Sequence, residues 1–519
     1  MMASRTLRLT CSAMALLLGA CSLAPKYVTP AAPVAPSWPA GDVYLAQSEA
    51  TLPAVSYAEI FRDPRLQQLI ARALDSNRDL RIAAANLTAA RAQVRVVRAN
   101  QLPTIGVTGS ATYSETGSGN TTTVIPTTPG GSGAVNPGNT GAGTGTGTGN
   151  TGTGTGNAGG SGTAVSSRNG WTYSVQGGVS SFELDLFGGL ANATEAQRNA
   201  ALATEATART VRLGLVADLA QAWATYAADR DLLTIAEATV RIGERSVELT
   251  RARLRGGIAP RTDLRQAEQV LETARSDVAE QRTALAQDAN VIRLLVGADF
   301  DPTLLPGTVS EVYASLATVP AGTSSQVLLR RPDVVEAEYD LRSANANIGV
   351  ARAQLFPSIS LTGVAGFASR ALSSLFTGGA FRWSAGGDAS YTLFNAGGRV
   401  ANVRVTQAQR DAALAAYERA IQVAFREVSD ALADQGTLNE RLRSAGANTA
   451  AAADTARLTE ARYRYGVEGF LSNLDAQRSL YTAQRAEIAT RLAAVANRVT
   501  LYRVLGGDAA TASPALTAR

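Results

Sequence analysis

Two stretches decide the fold: Asn77–Gly109, NRDLRIAAANLTAARAQVRVVRANQLPTIGVTG, and Arg331–Gly363, RPDVVEAEYDLRSANANIGVARAQLFPSISLTG. Superimposed, they pair Asp79 with Asp333, Arg98 with Arg352, Pro103 with Pro357 and Ile105 with Ile359, each 254 residues apart. A self-match at one fixed offset marks an internal duplication. Both stretches also change period at the same place. Before the Pro, apolar residues recur at helical spacing; after it they alternate as in a strand.

Further along, Ala196-Gln197-Arg198 and Ala200-Ala201-Leu202 match Ala408-Gln409-Arg410 and Ala412-Ala413-Leu414 at an offset of 212. Leu249-Thr250 and Arg253 match Leu458-Thr459 and Arg462, and Gly297 matches Gly506, at 209. The fall from 254 to 212 places 42 extra residues in the first copy, between Pro103 and Ala196. Gly117–Gly162 accounts for them: it is uncharged and runs through TGTGTGNTGTGTG. Such a tract buries too little apolar surface to offset its ordering entropy, and reads as a solvated loop.

Each copy then runs in one order of helix, strand, loop, strand, long helix, tight turn and helix. Repeat 1 spans 58–297, with a helix over 58–100, strand 103–113, loop 114–170, strand 171–187, long helix 191–255 and returning helix 262–297. After a linker over 298–325, repeat 2 spans 326–507, with a helix over 326–353, strands 357–367 and 381–394, long helix 400–465 and returning helix 471–505. Residues 508–519 form a tail. The long helices would measure roughly 100 Å at 1.5 Å per residue, a length that needs partners along their sides, as in a coiled coil or helical barrel.

In the strands, Ile105, Val107, Ala111 and Tyr113 alternate with Thr104, Thr108, Ser110 and Thr112, and the other strands do likewise. The second strand changes phase around Gly177-Gly178, which a bulge would explain. Alternation alone fits a soluble sandwich equally well. Two features favour a membrane: the strands have about the 9–11 residues of a tilted spanning strand, and aromatics sit at their loop-proximal ends. Tyr113, Trp171, Tyr173, Phe367, Phe381 and Trp383 lie where an interfacial aromatic girdle would. Four strands cannot close a barrel alone, because the smallest outer-membrane barrels have about eight. Open edges in hydrocarbon would leave N–H and C=O groups unpaired, so the chain is expected to assemble with copies of itself. These arguments fix neither two nor three copies.

Composition narrows the function. The 519 residues include no His, and both Cys (Cys11, Cys21) and all three Met fall within the first 21. The remainder cannot build disulfides, Cys/His nucleophile pairs or soft-metal sites by itself. No GxxxxGK[ST] phosphate loop or Gly-X-Ser-X-Gly elbow is present, so an enzyme is not expected. Of the 48 basic residues only Lys26 is not Arg, and they alternate with 43 acids rather than clustering, which speaks against nucleic acid as a partner.

The N-terminus reads as an export signal: Arg5 and Arg8, an apolar core over Met14–Leu18, then Leu18-Gly19-Ala20-Cys21. These last four residues look like a bacterial lipobox, with residues 1–20 removed and Cys21 lipidated. Ser22, rather than Asp, comes after the Cys and implies outer-membrane sorting. Removing residues 1–20 lowers the formal charge from +5 to +3. Residues 21–57, rich in Pro and Ala, read as an acylated, extended tether.

The lipobox, the duplicated order and the matched helical tips resemble the outer-membrane factor (TolC) family, in its lipoprotein-type branch of RND multidrug efflux channels (NodT branch). The most specific stretches are Leu471–Leu480 (LSNLDAQRSL), Ala351–Thr362 (ARAQLFPSISLT) and Phe394–Gly398. The resemblance implies an α+β, mainly helical homotrimer: a 12-stranded outer-membrane β-barrel continuous with a 12-helix periplasmic α-barrel of coiled-coil-like helices. It implies a passive exit duct of a tripartite efflux pump, fed by a periplasmic adaptor and an inner-membrane transporter, lying in outer-membrane lipid. No cofactor is implied beyond the lipid on Cys21. The alternatives are an exit duct for type I protein secretion and, in another class, a non-conducting structural or adhesive coiled-coil lipoprotein. The Gly/Thr insert departs from the family's shorter loop.

The same resemblance points to the tips. Each long helix ends in a Gly-containing turn, at Gly256-Gly257 and at Gly466 with Glu468, where an adaptor would touch. Asp263 and Asp475 fall in the first turns of the returning helices, where an acid complements the helix dipole whatever else it does. Leu471, Asp475 and Arg478 share one helix face. Family members close the periplasmic entrance with apolar and acidic rings and inter-helix Asp–Arg links at matching positions, and Tyr463 and Asp263 match linking residues. Glu468 stands where some members carry a basic linking residue.

Overall fold

The computed structural model describes residues 22–39, 56–115, 170–317 and 325–507, which fall into a sheet unit and a helical unit. Cys21, nearly all of the Gly/Thr-rich loop and the tail 508–519 lie outside the described residues.

The sheet unit draws on Ala99–Phe187 and Gln354–Ala396. Four antiparallel strands, β1 (Ile105–Ser114), β2 (Gly170–Glu183), β3 (Ser358–Ser369) and β4 (Phe381–Ser390), pair in the order β1-β2-β3-β4, leaving β1 and β4 with open edges. The register sets Tyr113 opposite Trp171, Val175 opposite Phe367, and Phe367 opposite Phe381, so one face is apolar from edge to edge. The other face carries Thr112, Ser174, Thr362, Arg382 and Asp388. The change of phase in β2 is a register shift between Val179 and Phe182, slightly later than the sequence suggests. The shift keeps Phe182 opposite Leu361, on the apolar face. Gly178, at φ +153°, lies so close to β3 that a Cβ would sit 2.1 Å from the Gly363 carbonyl oxygen. β4 ends at Ser390, short of the expected 394, because its partner runs out: Ser390 pairs with Ser358, the first residue of β3, and Pro357 before it has no N–H to continue the ladder.

The helical unit contains α1 (Tyr57–Ile60), α2 (Pro64–Ser76), α3 (Arg78–Ala99), α4 (Gly189–Arg255), α5 (Arg261–Val296), α6 (Val309–Ser315), α7 (Pro332–Ala353), α8 (Gly398–Arg464) and α9 (Phe470–Val504). The helix expected over 58–100 is divided. Asp63 caps α2 through Arg65 N–H, with Pro64 at its first position, and Asn77 in an extended conformation separates α2 from α3. Asn77 serves both sides: its Oδ1 accepts from Leu80 N–H at 3.0 Å, and its Nδ2 donates to the Leu295 carbonyl at 2.8 Å. Pro332 likewise starts α7 after a short 3₁₀ turn over Ser325–Arg330.

α4 and α8 are 67 residues each and begin and end 209 apart. The 212 offset seen at Ala196 is therefore local, and the first copy's surplus before its long helix is 45 residues rather than 42. α4 buries an almost unbroken series of small side chains, including Ala201, Ala220, Ala224, Ala227 and Ala228, which lets neighbouring helices approach closely. The largest buried side chains, Trp223, Tyr417, Tyr502 and Phe61, gather in one core around the middle of α4 and α8. There Trp223 Nε1 donates to the Leu304 carbonyl at 3.0 Å.

The two half-length helices of the duplication differ in their surroundings. α7 packs on both α4 and α8, burying Val334, Leu341, Ile348 and Ala351. α3 buries Leu87 alone and leaves Ile82 and Val96 each 58% exposed. The first part of α8, with Val400 and Val405 exposed, is similarly uncovered, whereas the matching part of α4 lies beneath α7.

Residues 22–39, expected as an extended tether, lie along the helices. The carbonyls of Leu23, Pro25 and Ala35 accept from Arg352, Asn345 and Ser325 respectively. Ser22 Oγ donates to Asn192 Oδ1 at 2.8 Å, Arg342 lies over the Tyr27 ring, and Trp38 is buried beside Phe425.

Candidate functional site

The tip of each long helix is closed by the same backbone device. In copy one, Gly257 N–H bonds the Leu254 carbonyl (3.1 Å) and Ile258 N–H the Arg253 carbonyl (3.0 Å). In copy two, Gly466 N–H bonds the Tyr463 carbonyl (3.0 Å) and Val467 N–H the Arg462 carbonyl (2.9 Å). This is the Schellman pattern, which requires a left-handed residue, and Gly257 and Gly466 supply it at φ +73° and +78°. The hydrophobic residue after such a glycine ordinarily folds back on its helix. Here Ile258 and Val467 point outward instead, and with Tyr465 and Leu471 they leave four large apolar side chains 67–81% exposed.

Beneath these tips the two copies are joined. Tyr463, on α8, is 3% exposed and packs with Phe470, Leu474, Val247, Leu264 and Leu271. Its hydroxyl lies 3.2 Å from Thr250 Oγ1 on α4. Arg253 reaches across in the same place, with its guanidinium 4.2 Å from the Tyr463 ring centroid and Nη2 donating to the Tyr463 carbonyl at 2.6 Å. Asp263 is half-buried in the first turn of α5, and Glu468 is held by Arg462 at 3.0 Å. Leu471, Asp475 and Arg478 are all exposed along α9. Among the described residues Asp475 and Arg478 form no ion pair with each other or with another charged group. Cys21 lies outside the described residues.

In the sheet, the six aromatic residues singled out from the sequence share the apolar face at its loop end. Tyr113 and Trp171 meet edge to face with centroids 5.6 Å apart, Trp171 stacks on Tyr173 at 6.0 Å, and Phe367 and Phe381 meet edge to face at 5.6 Å. Trp383 lies opposite Ala365 on the same face and is 73% exposed.

Sequence reading missed three clusters. Arg253 and Thr250 around Tyr463 were visible only as members of the repeat match. Tyr481, on α9, donates to Asp277 Oδ2 on α5 at 2.7 Å, and burial together with that carboxylate pushes its phenol up to about 12. Asp229 and Asp288 form a carboxyl pair joining α4 to α5. Burial first, and the neighbouring Asp229 second, raise Asp288 to about 7; burial raises Asp229 as well. Acids 59 residues apart on separate helices leave no local motif.

No helix among the described residues is long and apolar enough to cross a membrane. A sheet with one apolar face and two open edges, in a chain of paired long helices, defines instead the class of TolC-like outer-membrane channels. The sequence matches the family described as "Outer membrane efflux protein" over residues 69–298 and 323–507, one stretch for each copy of the duplication. The chain belongs to that family and is accordingly an outer-membrane protein. It is 39% identical over 501 residues to the toluene efflux pump outer membrane protein TtgC of Pseudomonas putida, covering 96% of this chain and 95% of TtgC. Among solved structures it resembles CusC (34% identity, TM-score 0.76, 94% of this chain and 100% of that one). It also resembles the open state of the Neisseria gonorrhoeae MtrE outer membrane channel (29% identity, TM-score 0.76, 94% and 98%). TtgC is thus the outer-membrane protein of an efflux pump, and MtrE is an outer-membrane channel.

Proposed function

We propose that this chain is the outer-membrane exit duct of a tripartite efflux pump. It works as a homotrimer that passively conducts small molecules delivered by a periplasmic adaptor and an RND-type inner-membrane transporter. The observation that carries the assembly is the pair of unfinished surfaces: a sheet open at β1 and β4, and a half-helix, α3, with no substantial partner in its own chain. Three sheets of four strands close a 12-stranded cylinder in which every edge is paired, as a β-structure in hydrocarbon requires. The six aromatic side chains then face lipid at the outer interface, and the Thr, Ser, Arg382 and Asp388 face lines the lumen. Cys21 carries the lipid, and Ser22, held on Asn192 in the first turn of α4, fixes where that anchor starts. Conduction needs no energy source in this chain, because the transporter supplies it.

The tips form the periplasmic entrance. Leu471 and Asp475 repeat around the threefold axis as an apolar and an acidic ring, and Arg478 links to a sibling's acid. Asp263 and Tyr463 tie the helix pairs beside them, and the turns at Gly256-Gly257 and at Gly466 and Glu468 receive the adaptor. Opening separates α8–α9 from α4–α5 once the adaptor docks.

Purified full-length protein in detergent should have the mass of three protomers and should conduct ions in planar bilayers; a stable lone protomer impermeable to salt overturns the proposal. Replacing Asp475 and Arg478 together by Ala should raise resting conductance several-fold, whereas unchanged conductance removes these two residues from the gate. Mass spectrometry of the mature chain should find acyl groups on its first residue, Cys21.

A further inference from the structure

The four strands carry three charged side chains, Glu183, Arg382 and Asp388, and all three lie on the polar face of the sheet. Strand pairing sets them at opposite ends. Glu183 and Asp388 flank Ser360, near the end where β2 and β4 run on towards α4 and α8. Neighbouring strands lie about 4.8 Å apart, so the Cα atoms of these two acids are about 10 Å from each other. Arg382 is the second residue of β4, at the loop end, in a row with Gly366 and Gln176. Six residues at about 3.4 Å each put it about 20 Å from Asp388, beyond the reach of an ion pair. The connections extend the same polarity. Those between strands and helices hold one charged residue, Asp185, whereas the two strand–strand loops hold Arg168 and Arg370 against Glu115. β1, whose open edge would meet a sibling's β4, brings no charge at all. The helix end of the sheet is therefore acidic, and the loop end net basic.

We propose that the barrel lumen is a bipolar charge filter. Glu183 and Asp388 make it acidic where it joins the helices, and Arg382 makes it basic at the outer mouth, so charged solutes pass more readily in one direction than in the other. The filter rests on the trimeric duct, in which three chains supply six of these carboxylates and three of these guanidinium groups. A 12-stranded cylinder of tilted strands is roughly 24 Å across at its backbone, so in dilute salt the screening length exceeds the radius and the wall charges govern which ions fill the lumen. Cations gather at the acidic end and anions at the basic end. A field that moves cations outward drives both kinds towards the middle and fills the lumen with carriers; the opposite field drains it. A small cationic solute is thus attracted on entry from the periplasm, and one returning from outside meets the guanidinium groups first.

Single-channel currents of the full-length protein in planar bilayers test the filter. Protein added to one chamber should keep its long helices there, since none among the described residues is apolar enough to cross. The reading is the ratio of the current with that chamber positive to the current with it negative. Glu183, Arg382 and Asp388 are all exposed, so Glu183→Gln, Asp388→Asn and Arg382→Gln together should leave the sheet intact. At about 20 mM KCl, where the screening length is about 20 Å, the parent's ratio should be about twofold that of this neutralised form. At about 1 M KCl, where that length is about 3 Å, the two ratios should coincide. Exchanging the signs, with Glu183→Arg, Asp388→Arg and Arg382→Glu, should bring the ratio below that of the neutralised form. The same comparison is made in channels that also carry Asp475→Ala and Arg478→Ala, where the barrel holds a larger share of the resistance. A conducting trimer whose ratio is equal in all three forms, in both backgrounds, overturns the filter and leaves the duct standing. A difference that persists at about 1 M salt reports altered pore shape and overturns it too. A parent that neither trimerises nor conducts overturns the duct and the filter together.

Discussion

α3 and α7 descend from the same half-helix, are both 22 residues long and lie 254 residues apart, yet one is core and the other surface. They share one buried anchor, since Leu87 corresponds to Leu341 and both are nearly inaccessible. Elsewhere they part: Ile348 is 1% exposed, whereas its counterpart Val94 is only half-buried. α7 packs on both α4 and α8, whereas α3 reaches α4 through the Arg91–Glu205 ion pair at 2.9 Å and packs closely on neither long helix. A duplicated chain that closes into a ring leaves one such seam per protomer, and the open first half of α8 is its other side. In the proposed trimer, the contact α7 makes within the chain is the template for one that α3 would make between chains.

This comparison breaks most visibly if α3 is made unable to bury its free face. Replacing Ile82 and Val96 together by Asp puts two carboxylates where a sibling helix should lie, at a cost of several kcal/mol if both were buried. Trimer mass and ion conductance should be lost, with dissociation at least about 100-fold easier. Helical content by circular dichroism should stay near that of the parent, because in the protomer both positions face water. Retention of a conducting trimer would show that α3 is not at the seam.

The mirror experiment lies on α7. Ile348→Ala removes a fully buried side chain and should cost the protomer about 2–5 kcal/mol, read as a lower denaturation midpoint. The matching Val94→Ala should cost the protomer much less and shift the trimer–protomer balance instead. Equal losses of protomer stability at both sites would remove the distinction between core and seam.

Much of this was legible from the amino acids, and the illegible part has a definite physical character. The duplication, the long helices and the two faces of the sheet arise from period and register, which are local properties. The break at Asn77 escaped because Asn is compatible with helix, and its capping bonds to Leu80 and Leu295 show only in three dimensions. The docking of residues 22–39 escaped because a Pro- and Ala-rich composition reports extension, not which Arg or Asn will meet its carbonyls. At the tips, the spacing of Leu471, Asp475 and Arg478 places them on one face of α9 and all three are exposed there, but spacing within one helix does not name what meets that face. The knot of Tyr463, Arg253 and Thr250 joins residues more than 200 positions apart, so spacing within either copy alone does not reveal it.

The smallest expected effect separates the two copies in their helix pairs rather than their half-helices. In copy one, α5 meets α4 through Asp288 and Asp229. In copy two the corresponding positions, 209 further on, are Asn497 and Leu438, and Asn497 Nδ2 donates to the Ala431 carbonyl on α8 at 2.9 Å. The native Asp288 carboxyl keeps its proton up to about pH 7, whereas an Asp in an unfolded chain releases it near pH 4. Between those values the native state binds the extra proton, so copy one's contribution to stability falls as pH rises from about 4 to about 7 and stays low above that. Asp288→Asn gives copy one the residue of copy two and an uncharged group at every pH. The variant should flatten that slope and gain about 1 kcal/mol at pH 8, after allowance for the pair's partial access to solvent. Denaturation midpoints at pH 5 and pH 8 measure it, and an undiminished slope in the variant would place the titration elsewhere than in the α4–α5 pair.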